Sequence, residues 1–409
     1  MSINTGDTAW VLISSALVLL MTPGLALFYG GMTRRKNLLS TIMMSFASMG
    51  LVGIIWALWG YSLSFGSDNG GFVGGLDFVG LLNVGQEPSS VYATSIPHLV
   101  FMAFQGMFAI ITVALITGAV VERIKFSALL LFSALWVTVV YGPVAHWVWG
   151  NGGWLSGIGA LDFAGGAVVH INAGVSALAL AMVLGRRRGF PRDVTEANNI
   201  PLVALGAGLL WFGWFGFNAG SALTASGLAA NAFVATNLSA AAAALTWMVI
   251  SWLHRCPSLL GTVTGAVAGL VAITPAAGFV PPLAGIPIGI VVSVVCYYSI
   301  VLIKNKLGFD DSLDVFAVHG MGGIWGALAT GIFASASVAG SSGLIEGNGA
   351  QVVTQIISIL AVAAFAFTVT WVLGKLVDVT VGLRVGQTEE TVGLDLSQHG
   401  ERAYGGLVR

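Results

Sequence analysis

The sequence predicts an all-α membrane protein with eleven transmembrane helices, its N-terminus outside the membrane and its C-terminus inside. Of its 409 residues, 56% are hydrophobic and 8% are charged, whereas a soluble protein carries about 25% charged residues. Eleven apolar runs are long enough to cross a bilayer. All sixteen Lys and Arg residues fall at or after the ends of alternate runs. The pattern therefore indicates a chain that crosses the membrane repeatedly.

Each run meets the length that a transmembrane helix requires, about 20 mostly apolar residues for roughly 30 Å of hydrocarbon. The first run is predicted to be retained, because the opening MSINTGDTAWVLISS has no basic n-region and no small-residue cleavage site. The outer loop 66–95 is rich in glycine and is expected to be irregular. The runs are 8–30, 39–65, 96–119, 126–149, 165–185, 200–219, 229–253, 259–277, 281–303, 312–334 and 350–377.

Positive charge decides the orientation, because cytoplasmic loops accumulate Lys and Arg. No Lys or Arg lies in a loop that follows an even-numbered run, so these loops are expected outside. The protein is therefore expected to be a multi-pass protein of the inner (plasma) membrane. The sixteen basic residues are Arg34, Arg35, Lys36, Arg123, Lys125, Arg186, Arg187, Arg188, Arg192, Arg255, Lys304, Lys306, Lys375, Arg384, Arg402 and Arg409.

Several classes of function are excluded by charge and composition. A net charge of −1 gives no overall attraction for nucleic acid. Cys256 and Cys296 are the two cysteines, which is too few for a disulfide framework or a thiolate metal cluster. No serine or cysteine nucleophile lies beside a base in a recognisable pattern, although spacing leaves open a site assembled in space. Neither a metal nor a cofactor is expected, and the chain is not expected to be an enzyme.

One motif occurs twice: DFAGGAVVH ends at His170 and DSLDVFAVH ends at His319. In the predicted topology Asp162 lies at the outer start of the fifth run, and Asp311 lies at the inner start of the tenth. Eight helical residues carry each histidine about 12 Å inward, close to the middle of the membrane. The first five and the next five runs therefore resemble an inverted repeat, which in transporters places the working site near the midplane.

The repeat defines the domain organisation. A transmembrane domain is predicted over 1–377, with repeat one at about 8–185 and repeat two at about 200–334. The eleventh helix, at about 350–377, stands outside the repeat. A polar cytoplasmic tail is predicted over 378–409.

Two roles were weighed for each polar residue inside the runs. A single intramembrane histidine could serve packing, but two at symmetry-related positions favour a pore site formed by His170 and His319. Asp162 and Asp311 each precede a helix and are expected to be N-caps, with a second role open for Asp162. Other histidines lie near run ends or in loops and are expected to be solvated or interfacial: His98, His146, His254 and His399.

Aromatic residues cluster near the predicted outer ends of the third, fourth and sixth runs. Most are expected to form the interfacial belt of a membrane protein. Phe108 and Phe217 differ if they meet, because stacked rings would close a narrow passage. A ring face attracts a cation by roughly 0.5 to 2 kcal/mol, and Ser221 could accept a hydrogen bond from it. The candidate entrance residues are Phe104, Phe108, Trp149, Trp214, Phe217 and Ser221.

Several motifs together resemble the ammonium transporter family, which includes methylammonium permeases and Rhesus-type proteins. They cover nearly the whole chain, and the similarity is greatest to the bacterial and archaeal members. The resemblance implies an eleven-helix bundle that assembles as a homotrimer in the lipid bilayer, with one pore per subunit. The motifs are MTPGLALFYGG, AFQGMFAI, VERIKFSA, GALDFAGGAVVHI, WFGWFGFNAGSA, ITPAAG, DDSLDVFAVHG, DVTVGLRV and GLDLSQHGERAY.

The resemblance also implies roles for particular residues. The outer substrate site would comprise Phe108, Trp149 and Ser221, with Phe104 beside it and Asp162 in support. Phe108 and Phe217 would form the gate, and His170, His319 and Trp214 would line the pore. A cytoplasmic PII-type signalling protein is an implied partner. At one position near that contact, many relatives carry Lys-Pro-Ser where this chain has Cys256-Pro257-Ser258.

The expected function is transport of ammonium, with methylammonium as an analogue. Ammonium would be recruited outside, deprotonated near the gate, and conducted as ammonia between the histidines, with or without coupled proton transfer. The alternatives are an ammonium sensor that signals through the tail and a Rhesus-like gas channel. A membrane enzyme is a more distant alternative.

Overall fold

The computed structural model describes residues 2–192 and 196–405. Arg409, one of the sixteen basic residues named above, lies outside the described residues. Among the described residues, ten helices are long and apolar enough to cross a membrane. They are α1 (Thr5–Met32), α2 (Arg35–Phe65), α3 (His98–Thr117), α4 (Phe126–Gly157), α5 (Gly166–Leu184), α6 (Ile200–Gly220), α7 (Gly227–His254), α9 (Pro282–Lys304), α10 (Phe316–Phe333) and α11 (Gly349–Val381), and a shorter apolar helix, α8 (Leu259–Ile273), lies between α7 and α9.

Helix α8 is shorter than the sequence predicts. The apolar run 259–277 suggests a full crossing, but the regular helix ends at Ile273 after 15 residues. Pro275 has no N–H and therefore interrupts the backbone ladder at this point. The chain continues in tight turns, in which the N–H of Ala276 bonds to the Ile273 carbonyl at 2.9 Å. Fifteen residues span only about 22 Å, which is less than the roughly 30 Å of hydrocarbon that the predicted crossing requires.

Side-chain caps mark where several helices begin. Asn4 accepts a hydrogen bond from a backbone N–H in the first turn of α1, Asn199 does so for α6, and Ser258 does so for α8. Each cap satisfies one of the N–H groups that a helix start leaves without a partner. The helix starts are therefore encoded locally, although the apolar runs alone do not show them.

Small residues allow α1 and α6 to pack closely along their length. A Cβ atom on Gly206 would lie 2.4 Å from the backbone nitrogen of Phe28. No side chain fits at that distance, so the two backbones are in direct contact. This contact follows the expectation that small residues let transmembrane helices approach. It joins the first helix of each predicted repeat.

The loop 66–95 contains two short paired strand segments, and most of its residues lie outside them, as the sequence predicts. Strand β1 (Asp68–Asn69) pairs with β2 (Val73–Gly74), and β3 (Pro88–Ser89) pairs with β4 (Ala93–Pro97). Two glycines with positive φ supply the turn between β1 and β2, a conformation that most other residues avoid. Two of the glycines that suggested an irregular loop therefore form the tight turn of this hairpin.

A buried ionic cluster fixes the loops before α4, α6 and α10. Arg187 forms a bidentate contact with Asp310, with nitrogen to oxygen distances of 2.8 to 3.1 Å. Glu122 accepts from the backbone and the side chain of Arg34, at 2.7 and 2.9 Å. Burial would raise the pKa of Asp310, but the hydrogen bonds and charge of Arg187 outweigh it and hold that pKa below its ordinary value. The cluster therefore consists of paired charges.

The described part of the tail packs on the loops that carry the basic residues. It forms α12 (Gln387–Val392) and α13 (Leu394–His399). Glu390 accepts from the backbone N–H of Arg188 and from the Arg384 guanidinium, at 2.9 and 2.8 Å. Asp395 accepts from the backbone N–H of Ser40 at 2.8 Å, near the start of α2. The tail is thus joined to the helices by specific hydrogen bonds.

Candidate functional site

The turn before α5 is organised by one carboxylate. Asp162 accepts four backbone N–H groups, from Gly165 (2.8 Å), Gly166 (2.6 Å), Ala167 (2.7 Å) and Val168 (3.2 Å). Gly165 has φ of +113°, a left-handed conformation that favours glycine. The N-cap residue itself is Gly165, three positions later, and Asp162 caps the turn from ahead of it, with both carboxylate oxygens occupied by backbone N–H groups.

Both histidines lie in π-helical turns. The N–H of His170 bonds to the carbonyl of Gly165, five residues back, at 3.0 Å. His319 lies in the equivalent turn at the start of α10. Asp311 precedes that turn and accepts the N–H of Phe316 at 2.7 Å, whereas the N-cap residue itself is Val315. Such turns insert one residue into an α-helix and are frequent at functional sites.

The two imidazole rings meet in the centre of the bundle. The Nδ1 atoms of His170 and His319 are 3.3 Å apart, and the rings are 1% and 3% exposed as residues. One Nδ1 must carry hydrogen and the other must accept it, so the neutral pair has complementary tautomers. Among the described residues, Nε2 of His170 has no hydrogen-bond partner. It is therefore free to bond to a solute.

An aromatic wall continues outward from the pair. The His170 ring stacks on Trp214 at a centroid distance of 5.4 Å and on Phe217 at 6.0 Å. The indole N–H of Trp214 donates to the Thr274 hydroxyl at 2.8 Å, and that hydroxyl donates to the Leu270 carbonyl. Trp214 therefore has no remaining N–H donor and offers its ring face.

Two phenyl rings close the passage above this wall. Phe108 and Phe217 lie 4.3 Å apart between centroids, tilted by 36°, and the two residues are 1% and 0% exposed. Phe104 contacts Phe108 edge-on at 4.9 Å, and Trp149 does so at 5.9 Å. Phe104 and Trp149 therefore support one ring of the closed pair.

A chamber of about 300 Å³ lies against the Phe108 ring. Within it the Ser221 hydroxyl donates to the Phe217 carbonyl at 2.8 Å, which leaves its oxygen lone pairs as acceptors. The indole N–H of Trp149 is engaged by the Asp162 carbonyl at 3.0 Å, so this ring also offers its face. Neither Phe104 nor Asp162 lines this chamber. The lining of the chamber includes Tyr92, Gln105, Phe108, Trp149 and Ser221.

The passage is narrow only in its middle. Between the phenyl pair and His319 lies a cavity of about 10 Å³, bounded also by Trp214. Beyond His319 a second chamber of about 350 Å³ is lined by residues that include Tyr29 and Asp314. A cavity of about 10 Å³ holds at most one water-sized molecule. The arrangement is therefore two chambers joined by a tight, largely apolar passage.

Comparison with known proteins decides the family. The family model described as the Ammonium Transporter Family matches residues 9–404. The chain belongs to this family. The resemblance stated from the motifs is thereby confirmed, and the chain is a multi-pass membrane protein.

The ammonium transporter family members most similar to this chain include bacterial and archaeal proteins. The ammonium transporter of Bacillus subtilis is 52% identical over 402 residues, covering 98% of each chain. The ammonium transporter Amt1 of Archaeoglobus fulgidus is also 52% identical, covering 98% of this chain and 100% of the relative. The crystal structure of Saccharomyces cerevisiae Mep2 has a TM-score of 0.89 at 38% identity, covering 94% of this chain and 88% of that one.

A second solved structure of this family bears on function. A chain titled Sensor Amt Protein has a TM-score of 0.89 at 28% identity and covers 96% of this chain. The same helical architecture therefore occurs in a protein described as a sensor, while the relatives in Bacillus subtilis and Archaeoglobus fulgidus are named as transporters. The fold alone does not separate these two functions.

Two histidines outside the passage are buried, so the expectation that they are solvated or interfacial is wrong. His98 shares a hydrogen bond of 2.5 Å between its Nε2 and the Tyr61 hydroxyl. His146 is fully enclosed between Ser64 and Asp68. The physical reason is that the outer hairpins cover the helix ends, which hydropathy cannot show. His254 is exposed, as expected for a residue at the end of α7.

Two residues of the passage were missed by sequence reasoning. Thr274 orients Trp214, and the available signal was a hydroxyl residue at the end of an apolar run. Gln105 lines the outer chamber, and its side-chain oxygen has no hydrogen-bond partner among the described residues. The signal for Gln105 was an amide between two phenylalanines in AFQGMF.

Proposed function

We propose that this protein is an ammonium transporter of the inner (plasma) membrane, which recruits ammonium outside, removes its proton and conducts ammonia inward. The observation that carries the proposal is the pair of neutral imidazoles directly below a closed phenyl pair in a passage of about 10 Å³. Family membership and the names of the relatives support it.

The proposed topology has eleven crossings, with the N-terminus outside and the C-terminus inside. The membrane domain is 1–377, with inverted repeats at about 8–185 and 200–334 and the eleventh helix at about 350–377. The tail is 378–409. Support comes from the two capped π-helical turns that bring His170 and His319 together from different halves of the chain, and from the basic residues that follow odd-numbered helices.

The outer site is proposed to hold the cation in the chamber of Phe108, Trp149 and Ser221. Two ring faces attract a desolvated cation, each by roughly 0.5 to 2 kcal/mol. Ammonium has N–H donors that the Ser221 oxygen can accept, which a metal cation lacks. Phe104 acts through Phe108, and Asp162 acts by its negative charge and by holding the turn below.

The gate is proposed to be Phe108 and Phe217, and one ring must move for each passage. A charged ion entering an apolar passage loses its hydration without replacement, whereas neutral ammonia needs only hydrogen-bond partners. His170 and His319 supply these partners, with Trp214 beside them. The proton can remain outside or pass along the shared Nδ1 contact, and these alternatives correspond to silent and electrogenic transport.

The proposed partners follow from the family. The chain is proposed to form a homotrimer in the bilayer and to bind a cytoplasmic PII-type protein. An ammonium sensor is the second candidate, favoured by the solved sensor of the same fold and by the tail bonded to the helices. A Rhesus-like gas channel is less favoured, because Trp149 and Ser221 beside Phe108 suit a cation. Relatives named as transporters favour transport over catalysis.

The test is an ammonium pulse applied to proteoliposomes that contain the purified protein, with internal pH and current recorded. Replacing both histidines by leucine, His170→Leu with His319→Leu, should abolish ammonium-specific uptake. His254→Leu removes an exposed histidine remote from the passage and serves as the control. Unchanged methylammonium uptake in the double variant would contradict the mechanism, and absence of flux in the native protein would favour the sensor.

A further inference from the structure

The buried His146 makes two hydrogen bonds that a neutral ring cannot make together. Its Nδ1 is 3.0 Å from the carbonyl oxygen of Ser64, and its Nε2 is 3.0 Å from Oδ1 of Asp68. A carbonyl and a carboxylate only accept hydrogen bonds, and a neutral imidazole has one N–H. In either neutral tautomer one ring lone pair would face an oxygen lone pair. With Asp68 as a carboxylate, the two bonds together need both ring nitrogens to carry hydrogen.

The contrast with His98 shows that this requirement is specific to His146. At His98 the partner of Nε2 is the Tyr61 hydroxyl, which can donate. The neutral form of His98 satisfies that contact. At His146 neither the Ser64 carbonyl nor the Asp68 carboxylate can donate, so the ring must supply the hydrogen for both bonds.

Asp68 is suited to be the counter-ion. Its carboxylate also accepts the backbone N–H of Gly71 at 2.6 Å, within the β1–β2 hairpin. The hydrogen bond from His146, followed by that of Gly71, holds the pKa of Asp68 below its ordinary value. Asp68 is 34% exposed as a side chain, whereas the His146 ring is fully buried. The pair therefore fastens a surface hairpin to a buried helix end.

No other ionisable group contacts His146 in the described part of the chain. The elements packed on its segment of α4 are the end of α2, the middle of α4 itself, the start of α5 and the outer hairpin. The ionisable side chains that these elements bring near are Tyr61, Tyr141, His170 and Asp68. Of these four, Asp68 alone is bonded to the ring.

The fastened segment forms part of the outer chamber wall. Trp149 lies three residues after His146, and α4 is interrupted there by a turn at 150–153 before its last helical turn, Trp154–Gly157. Within that turn the N–H of Asn151 donates to the Tyr92 hydroxyl at 3.0 Å. Trp149 and Tyr92 both line the chamber. A change at the His146 contact is thus transmitted to two wall residues through one helical turn and one hydrogen bond.

The geometry points to His146 as a positioning residue that is held as an imidazolium and paired with Asp68, which keeps Trp149 and Tyr92 in the wall of the outer chamber. Loss of either bond loosens the wall. The inference rests on the proposed function, because one of its tests measures uptake through that chamber. The other test, which measures the charge of the ring, does not depend on transport.

The charge is measured by nitrogen-15 NMR of the full-length protein labelled at its six histidines. His146→Asn identifies the His146 signals, because the amide nitrogen of Asn can replace Nδ1 and keep the bond to the Ser64 carbonyl. We expect both ring nitrogens of His146 to be protonated at about pH 7. In Asp68→Asn the acceptor remains but the negative charge is lost, so a smaller fraction of the ring should be doubly protonated at the same pH. A neutral ring in the native protein would overturn the inference.

The positioning role is measured by methylammonium uptake into proteoliposomes. His146→Asn should raise the KM about threefold, as expected for one weakened hydrogen bond. Asp68→Asn weakens the same contact and should raise the KM in the same direction. The maximal rate should change little, because the passage itself is untouched.

The outcomes separate the two proposals. A His146→Asn protein with the native KM would overturn the positioning role. If that variant does not fold, Asp68→Asn still decides, since its site is partly exposed; a native KM in Asp68→Asn would count against the ion pair. If the native protein takes up no methylammonium, the proposed transport function fails, whereas the NMR measurement still decides the charge of His146.

Discussion

Replacing Asp162 by Asn is expected to lower both stability and uptake, because its carboxylate alone holds the turn before α5. One oxygen accepts from Gly165 and Gly166, and the other accepts from Ala167 and Val168. The amide retains one oxygen and turns an NH₂ group toward two N–H donors. Two charge-assisted bonds are lost, each worth about 1.5 to 3 kcal/mol, so the expected cost is at least ~3 kcal/mol. Asp162→Ala loses all four bonds and should cost ~5 kcal/mol or more.

The measurement is the midpoint of thermal unfolding in detergent together with initial ammonium uptake. Uptake should fall because the N–H of His170 bonds to the Gly165 carbonyl in the same turn. Asp77→Asn is the matched control, since Asp77 also accepts two bonds but lies in the exposed outer loop. The reasoning is refuted if Asp162→Asn unfolds and transports like the native protein.

Three further predictions test the packing and the charges around the passage. Trp214→Phe loses the 2.8 Å bond to Thr274. Uptake should slow by about tenfold or less, and the free energy of unfolding should fall by ~1 kcal/mol. Native uptake would show that the bond is dispensable. Burial raises the pKa of Asp311 from 3.8 to about 6, so the folded protein holds this proton more tightly than the unfolded chain, and the carboxyl costs up to roughly 3 kcal/mol above that pH. Asp311→Asn should therefore raise the unfolding midpoint at pH 7 to 8 and leave it unchanged near pH 4, and the opposite pH dependence would contradict the shift. A Cβ on Gly174 would lie 2.2 Å from a backbone nitrogen of α10, whereas one on Gly208 would meet nothing within 4 Å; Gly174→Ala should prevent stable folding, and Gly208→Ala should be neutral or slightly stabilising in the same unfolding assay.

The sequence predicted the central pair because its information is local. The interval between Asp162 and His170 recurs between Asp311 and His319, and a helix converts equal intervals into equal depths. The aromatic entrance was predicted for a similar reason, since Phe104 and Phe108 share one helix face. These inferences need no knowledge of how distant segments pack.

The features that were missed depend on contacts between distant segments. The burial of His146 arises from a hairpin 78 positions earlier in the chain, and the partner of Trp214 lies 60 positions away. The early end of α8 depends on whether Pro275 ends a helix or only bends it, which hydropathy does not report. Hydropathy measures the average cost of transfer from water and is insensitive to these details.

Because each π-helical turn contains an extra residue, the number of residues between the acid and the imidazole sets the direction in which the ring points. Removing one residue would restore an ordinary helix and swing the ring by about 100° around the axis, away from its counterpart. Exchange of one apolar side chain for another within that interval leaves the ring direction intact. Sequence drift there should accordingly take the form of replacements, with insertions and deletions eliminated in both halves of the chain.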